Sequence, residues 1–309
     1  MKKLLVILIL GMISCKKEIP NIVTLTPQTK IVDTIIQSTK KNPIETQWLD
    51  IPDGYASFIQ FDYNNDKIDD VIMFEGYDVN VKYNWPGPMF YTGNPLTKIN
   101  LPIDNKKIFG SKVIAADFDG DGYKDIFVQS GMDPSGTDWS TCWYCDPILP
   151  NSIMFNDNGK SFKVKELSEW KGIWRSATTG DIDNDGDIDL LIFTTHQGKG
   201  LYNKLLINDG RGNFDVRKSD IDSIGWVDAA EIFDINKDGF LDLVINDIIS
   251  TGNRFRILWG NGNNFYESNS TTINITNNMW VLDIDVFDFD KDGFNEIIVA
   301  MNYPTGGWY

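Results

Sequence analysis

The stretch that decides the fold is Asp181-Ile182-Asp183-Asn184-Asp185-Gly186-Asp187-Ile188-Asp189, followed at once by Leu190-Leu191-Ile192-Phe193. Carboxylates occupy positions 1, 3, 5 and 9 of the first nine residues, and glycine at position 6 permits the positive φ of a tight turn. The apolar run behind them has the length and composition of a buried strand. The pattern recurs. Asp62, Asn64, Asp66 and Asp70 form a first copy, and Asp117, Asp119, Asp121 and Asp125 a second. After the quoted third copy, Asp234, Asn236, Asp238 and Asp242 form a fourth, and Asp288, Asp290, Asp292 and Glu296 a fifth. The copies begin at residues 62, 117, 181, 234 and 288. Such a period marks a chain built from stacked supersecondary units.

Hard-cation chemistry explains the pattern. Calcium takes about six to eight oxygens, which side chains at positions 1, 3, 5 and 9 and the backbone carbonyl of position 7 are placed to offer. The expectation is four to five structural Ca2+ sites. Copy one departs from the pattern, with Lys67 at the glycine position. The loops are not EF-hands, which need glutamate at position 12 and flanking helices. Position 12 is Met73, Val128, Ile192, Ile245 and Val299, each inside a strand-like run. Similar runs precede the loops, as at 56–61, 113–116 and 280–287, so each loop is read as a hairpin turn. A second tight turn follows in three copies: Asn156 to Gly159 before Phe162, Asn208 to Gly210 before Phe214, and Gly260 to Gly262 before Phe265. Each unit then carries about four strands.

Tandem four-stranded units with an acidic loop in the first hairpin resemble the FG-GAP/VCBS repeat family, as in integrin-type heads and some fungal lectins. The resemblance covers residues 48–309 and implies an all-β fold, a β-propeller of four-stranded blades with calcium-binding hairpin loops. The literal Phe-Gly…Gly-Ala-Pro segment is absent. Family propellers usually have seven blades, whereas five repeats are visible. Either the N-terminal strand closes a small five-bladed ring, or the chain is a truncated reading of a longer protein at Tyr309; truncation is favoured.

The N-terminus reads as an address. Lys2 and Lys3 precede an apolar run that stops at Ser14-Cys15, too short to span a bilayer and placed like a signal peptide. It resembles a bacterial lipoprotein signal (1–15), which implies lipidation of Cys15 and attachment to the cell envelope through that lipid. Residues 16–47 read as a tether.

Charge narrows the partners. With 28 basic and 44 acidic residues the net charge is −16, which excludes general nucleic-acid binding. One histidine excludes a His-cluster zinc site, and three cysteines exclude a disulfide framework. Cys142 and Cys145 read as a local disulfide in an exported chain.

The family pattern puts the acidic loops on one face and ligand binding on the other. The candidate ligand-binding residues are Trp139, Trp143 and Tyr144 in an insertion, and Trp174, Trp226 and Trp280, which recur with Tyr55 and Phe109 shortly before each loop. For this recurring set, packing at the start of an inner strand is the favoured alternative. Aromatic rims anchor glycans and proteins. The leading expectation is therefore a cell-envelope binding or adhesion protein taking a glycan or protein partner. A polysaccharide lyase using His196 as its base, and a structural subunit of an outer-membrane complex, are the alternatives.

Overall fold

The computed structural model describes residues 6–10, 55–75, 87–105, 108, 110, 112–129, 150–171, 174–194, 202–249, 252–274, 280–289, 291, 293 and 295–302. The chain divides into two units, Met1–Gly11 with Pro52–Tyr309, and Met12–Ile51. The expected tether and Cys15 fall in the second unit and lie outside the described residues; Trp139, Cys142, Trp143, Tyr144, Cys145, His196, Asp290 and Asp292 belong to the first unit and also lie outside the described residues.

The described residues of the first unit are all-β apart from one 3-10 turn at Asp220–Ser223. Four sheets are four-stranded meanders. The first holds β2 (Tyr55–Phe61), β3 (Asp70–Glu75), β4 (Met89–Thr92) and β5 (Thr97–Ile99). The second holds β6 (Lys112–Ala116), β7 (Asp125–Gln129), β8 (Pro150–Asn156) and β9 (Phe162–Lys171). The third holds β10 (Trp174–Gly180), β11 (Asp189–Thr194), β12 (Lys204–Asn208) and β13 (Phe214–Arg217). The fourth holds β14 (Ala230–Phe233), β15 (Asp242–Ile249), β16 (Gly252–Gly260) and β17 (Phe265–Asn274). The fifth pairs β18 (Trp280–Phe287) with β19 (Glu296–Asn302), and β1 (Val6–Leu10) lies parallel to β19. Thus the apolar run read as a signal peptide is an edge strand here; an aliphatic segment satisfies an open sheet edge with its backbone groups. Among the described residues no helix is long and apolar enough to cross a membrane.

The first strands of successive sheets, β2, β6, β10, β14 and β18, pack against one another. The sheets therefore stand as blades of a propeller-like fold with their first strands innermost. Each acidic loop is the turn between first and second strands, as the hairpin reading requires: Phe61 pairs with Asp70, Ala116 with Asp125, Gly180 with Asp189, Phe233 with Asp242 and Phe287 with Glu296. The first sheet's outer hairpin, β4 to β5, had no turn signal of the Asn-x-Gly kind.

Four apolar clusters fill the four seams between neighbouring sheets. The second strands are buried on both faces, which explains their unbroken apolar runs. On β11, Leu190 and Ile192 face the second sheet, while Leu191 and Phe193 face the fourth. On β7, Ile126 and Val128 face the first sheet and Phe127 the third.

The innermost strands also gather charge. Lys112 on β6 lies 3.8 Å from Asp283 on β18, an exposed pair worth little by itself. Glu231 on β14 is half-buried nearby. Burial pushes its carboxyl up to about 7; Lys112 pulls the other way, and Asp285 and Asp283 push with burial. A carboxyl raised above its unfolded value of about 4.3 stabilises the fold in its protonated form. That contribution is complete below the unfolded value and is lost as pH rises through about 7. In chelator, thermal melts should therefore fall as pH rises from about 4.3 to about 7. Buried Asp125 and Asp189 add to that fall in the same sense, so Glu231→Gln should reduce it; an unchanged slope would remove Glu231 as a contributor.

Candidate metal centre

Each loop is a cage of backbone N–H groups around carboxylates. At position 1, Asp117 accepts from Gly120 N (2.8 Å) and Gly122 N (2.9 Å), and Asp181 accepts from Asp185 N and Gly186 N (both 3.0 Å). Asp62 and Asp234 do the same with Asp66 N and Lys67 N, and with Asp238 N and Gly239 N. Asp288 accepts from Gly293 N at 3.0 Å. Position 5 closes an Asx-turn onto position 7: Asp66 takes Ile68 N, Asp121 takes Tyr123 N, Asp185 takes Asp187 N and Asp238 takes Phe240 N, at 2.8–3.0 Å. At position 3, Asn64, Asp119 and Asn236 accept from the position 5 N–H.

Two residues per loop have positive φ. Position 6 is at 71° in Lys67 and between 88° and 97° in Gly122, Gly186, Gly239 and Gly293. Lys67 thus adopts the left-handed conformation that its neighbours meet with glycine. Position 4 is also left-handed: Asn65, Gly120, Asn184, Lys237 and Lys291 lie at 58–73°. Sequence reading missed position 4. Its signal was there in the Asn, Gly and Lys found at that place, since Asn and Gly tolerate this conformation best.

Position 9 does more than close a ligand set. Asp70, Asp125, Asp189 and Asp242 are 0% exposed and Glu296 3%. Each takes the N–H of position 2 in its own loop: Tyr63, Phe118, Ile182, Ile235 and Phe289. In the three middle sheets the second oxygen takes an N–H from the third strand, namely Asn156, Asn208 and Gly260 at 2.8–2.9 Å. Burial is the main cause that pushes Asp125 up to about 7 and Asp189 up to about 6, against the lowering effect of these N–H bonds. Asp70 and Asp242 are raised for the same first reason.

Position 2 joins neighbouring sheets. The Phe118 side chain fills the seam with the third sheet, and its carbonyl accepts from Asn208 Nδ2 at 2.8 Å. Tyr63 fills the seam before it, and its carbonyl accepts from Asn156 Nδ2 at 2.7 Å. Position 4 reaches the same way: Asn65 donates to Gly122 O, Asn184 to Gly239 O and Lys237 to Gly293 O. Loops one and two, three and four, and four and five are thus hydrogen-bonded to one another. Asn208 is buried and also bonds Ile188 O at 3.1 Å. Asn208→Ala should cost about 2–3 kcal/mol, because it leaves buried carbonyls without a donor. Urea unfolding should show a lower midpoint at unchanged slope; a wild-type midpoint would sink this account of the seam.

The donor set suits a hard cation. Ligand oxygens of Asp117, Asp119 and Asp125 lie within 4.8 Å of one another, and so do those of Asp181, Asp183 and Asp185. Asp183 Oδ1 and Asp288 Oδ1 are buried and receive no hydrogen bond, a costly state for a carboxylate oxygen unless a cation meets it. Burial first, and then Asp121, raise the Asp119 carboxyl. Of the aromatic candidates, Trp174 and Trp280 are the first residues of inner strands β10 and β18, as Tyr55 is of β2. Trp226 lies just before β14, and its indole N–H donates to Asp228 Oδ1 at 2.7 Å.

No curated protein matches the chain. The sequence model of the FG-GAP-like repeat matches residues 62–128, 181–245 and 234–299. Each matched window opens on the first carboxylate of one acidic loop and runs through the next loop into the strand behind it. Together the windows cover more than half of the chain, and each runs from the second strand of one sheet described above to the second strand of the next. The chain belongs to the FG-GAP-like repeat family.

Proposed function

We propose that the protein is a calcium-stabilised binding scaffold of the bacterial cell envelope, carried on a lipid at Cys15 once cleavage before that residue has removed the leader and with it the β1 edge strand. It takes a glycan or an extracellular protein on the face opposite the acidic loops. The observation that carries the calcium reading is the pair of converging carboxylate clusters, Asp117/Asp119/Asp125 and Asp181/Asp183/Asp185, with a buried Asp183 oxygen that has no hydrogen-bond partner. Both clusters sit where neighbouring sheets are hydrogen-bonded together.

When bound, calcium would supply positive charge to oxygens that otherwise repel one another. The residues that would hold it are those at positions 1, 3, 5 and 9 of each loop. The chain's own groups do the rest: backbone N–H groups at positions 4 to 7 fix the carboxylate rotamers, so little ordering remains when a cation arrives. A net charge of −16 on a protein of the envelope is tolerable once such cations are in place.

Mass action sets the expected effect. A ligand at about 100 times its Kd stabilises by roughly 2.7 kcal/mol per site. Two sites would then raise the melting temperature by about 10 °C or more for a domain of this size. The test is a thermal melt of the mature chain in millimolar calcium and in chelator, with binding to a glycan array measured in both conditions. An identical melt in the two buffers overturns the calcium reading. Array binding that is lost in chelator supports recognition by the calcium-ordered fold, whereas a folded chain that binds no glycan turns the partner into a protein.

A further inference from the structure

Loops two and three offer identical ligand types, four aspartates each, yet differ in what stands behind position 3. In the third sheet Arg217, the last residue of β13, donates Nη2 to Asp183 Oδ2 at 2.9 Å. Its Nη1 donates to Asn263 O at 3.0 Å and to Asn263 Oδ1 at 2.8 Å, in the outer turn of the fourth sheet. The corresponding residue of the second sheet is Lys165, three places after Phe162 as Arg217 is after Phe214. Lys165 Nζ makes the equivalent pair of bonds to the next sheet, with Gly212 O at 2.8 Å and Asn213 Oδ1 at 2.9 Å. A single ammonium satisfies the turn but does not fork back, and among the described residues Asp119 has no cationic partner.

We propose that Arg217 is a positioning residue for the cation of loop three. It holds Asp183 by Oδ2 and leaves Oδ1 as the oxygen free for metal beside Asp181 and Asp185. This rests on the calcium reading given above. The guanidinium fork suits the task because it is planar and offers two parallel donors. Asp183 is mostly buried, with its side chain 15% exposed and Oδ1 inaccessible; without Arg217 both its oxygens would lack a partner. A guanidinium near a dication also repels it. Orientation outweighs that repulsion here, because a buried carboxylate with no anchor has to be desolvated and ordered anew at each binding event. Hydrogen-bond partners behind metal-ligating carboxylates are typically worth about 10- to 100-fold in affinity. The same fork couples the site to the seam between the third and fourth sheets, which loop two achieves without involving a ligand.

The test is hydrogen–deuterium exchange of the mature chain over a series of free calcium concentrations, which reads peptides spanning 117–125 and 181–189 separately. Arg217→Lys imitates Lys165, so it keeps the bonds to the turn and gives up Asp183. Its loop-three midpoint should move to at least about tenfold higher calcium, while loop two stays within about twofold. Asn263→Ala trims the turn but leaves Arg217 on Asp183; its loop-three midpoint should stay within about twofold of wild type. A loop-three midpoint that is unmoved in Arg217→Lys, or that moves to lower calcium, overturns the proposal. So does a tenfold shift in Asn263→Ala, which would make the seam and not the Asp183 contact the determinant. If no loop of the wild-type chain gains protection with calcium, the calcium reading itself fails, which is a separable result.

Discussion

Everything in the acidic face hangs on a buried carboxylate, the one at position 9 of each loop. Asp125 takes the N–H of Phe118 at one oxygen and the N–H of Asn156 at the other. Those two bonds fix the turn between first and second strands and pin it to the third strand. Asp189 and Asp242 repeat the arrangement with Ile182 and Asn208, and with Ile235 and Gly260. An ionised carboxylate with no exposure is expensive. The chain meets that cost with two N–H donors per residue and still holds Asp125 near neutrality in its titration, up to about 7. The group is thus poised to gain from any further positive charge that reaches it.

From that pin the rest of the seam follows. Holding the position 2 N–H directs the position 2 side chain into the gap between sheets, where Phe118 and Ile182 are buried. It also presents the position 2 carbonyl to the next sheet, where Asn208 or Asn156 donates to it. The loops are therefore part of the joint between sheets and not appendages on it. A cation bound there would act on the same backbone that carries sheet-to-sheet packing, so local binding energy would appear as stability of several sheets together.

The sequence made part of this legible and hid the rest for a physical reason. Loop positions, flanking strands and the Asn-x-Gly turns were readable because each is decided within about ten residues, by turn chemistry and by apolar runs. The role of position 9 was half legible: a carboxylate there was expected as a ligand, but its bond to Asn156 N joins residues 31 apart. The seam contacts were not legible, because Asn208 to Phe118 O spans 90 residues and Asn156 to Tyr63 O spans 93. The outer turn of the first sheet was missed because it lacks the Asn-x-Gly signature. The apolar N-terminal run shows the limit of local reading from the other side: one string of aliphatic residues suits a signal sequence and a sheet edge equally well.

The departures between repeats are as informative as the repeats. Where Asn156 and Asn208 stand in the second and third sheets, the fourth has Gly260, and a Cβ there would lie 1.9 Å from Leu241 O. The side-chain donor is given up because the backbone comes too close, and the seam is served by Asn184 to Gly239 O and by Arg217 to Asn263. Gly120 removes the position 4 donor from loop two, and Gly210 O instead approaches to 3.4 Å from where its Cβ would be. Lys67 keeps a left-handed turn without glycine, and its backbone N–H still bonds Asp62 at 2.6 Å. In the first two cases one contact is exchanged for another at the same joint, so what the repeats share is the satisfaction of the seam and not the residue that satisfies it. By that logic, an exchange that adds a contact to a loop carboxylate, as Arg217 does for Asp183, changes the one part of the motif that the seam itself does not require.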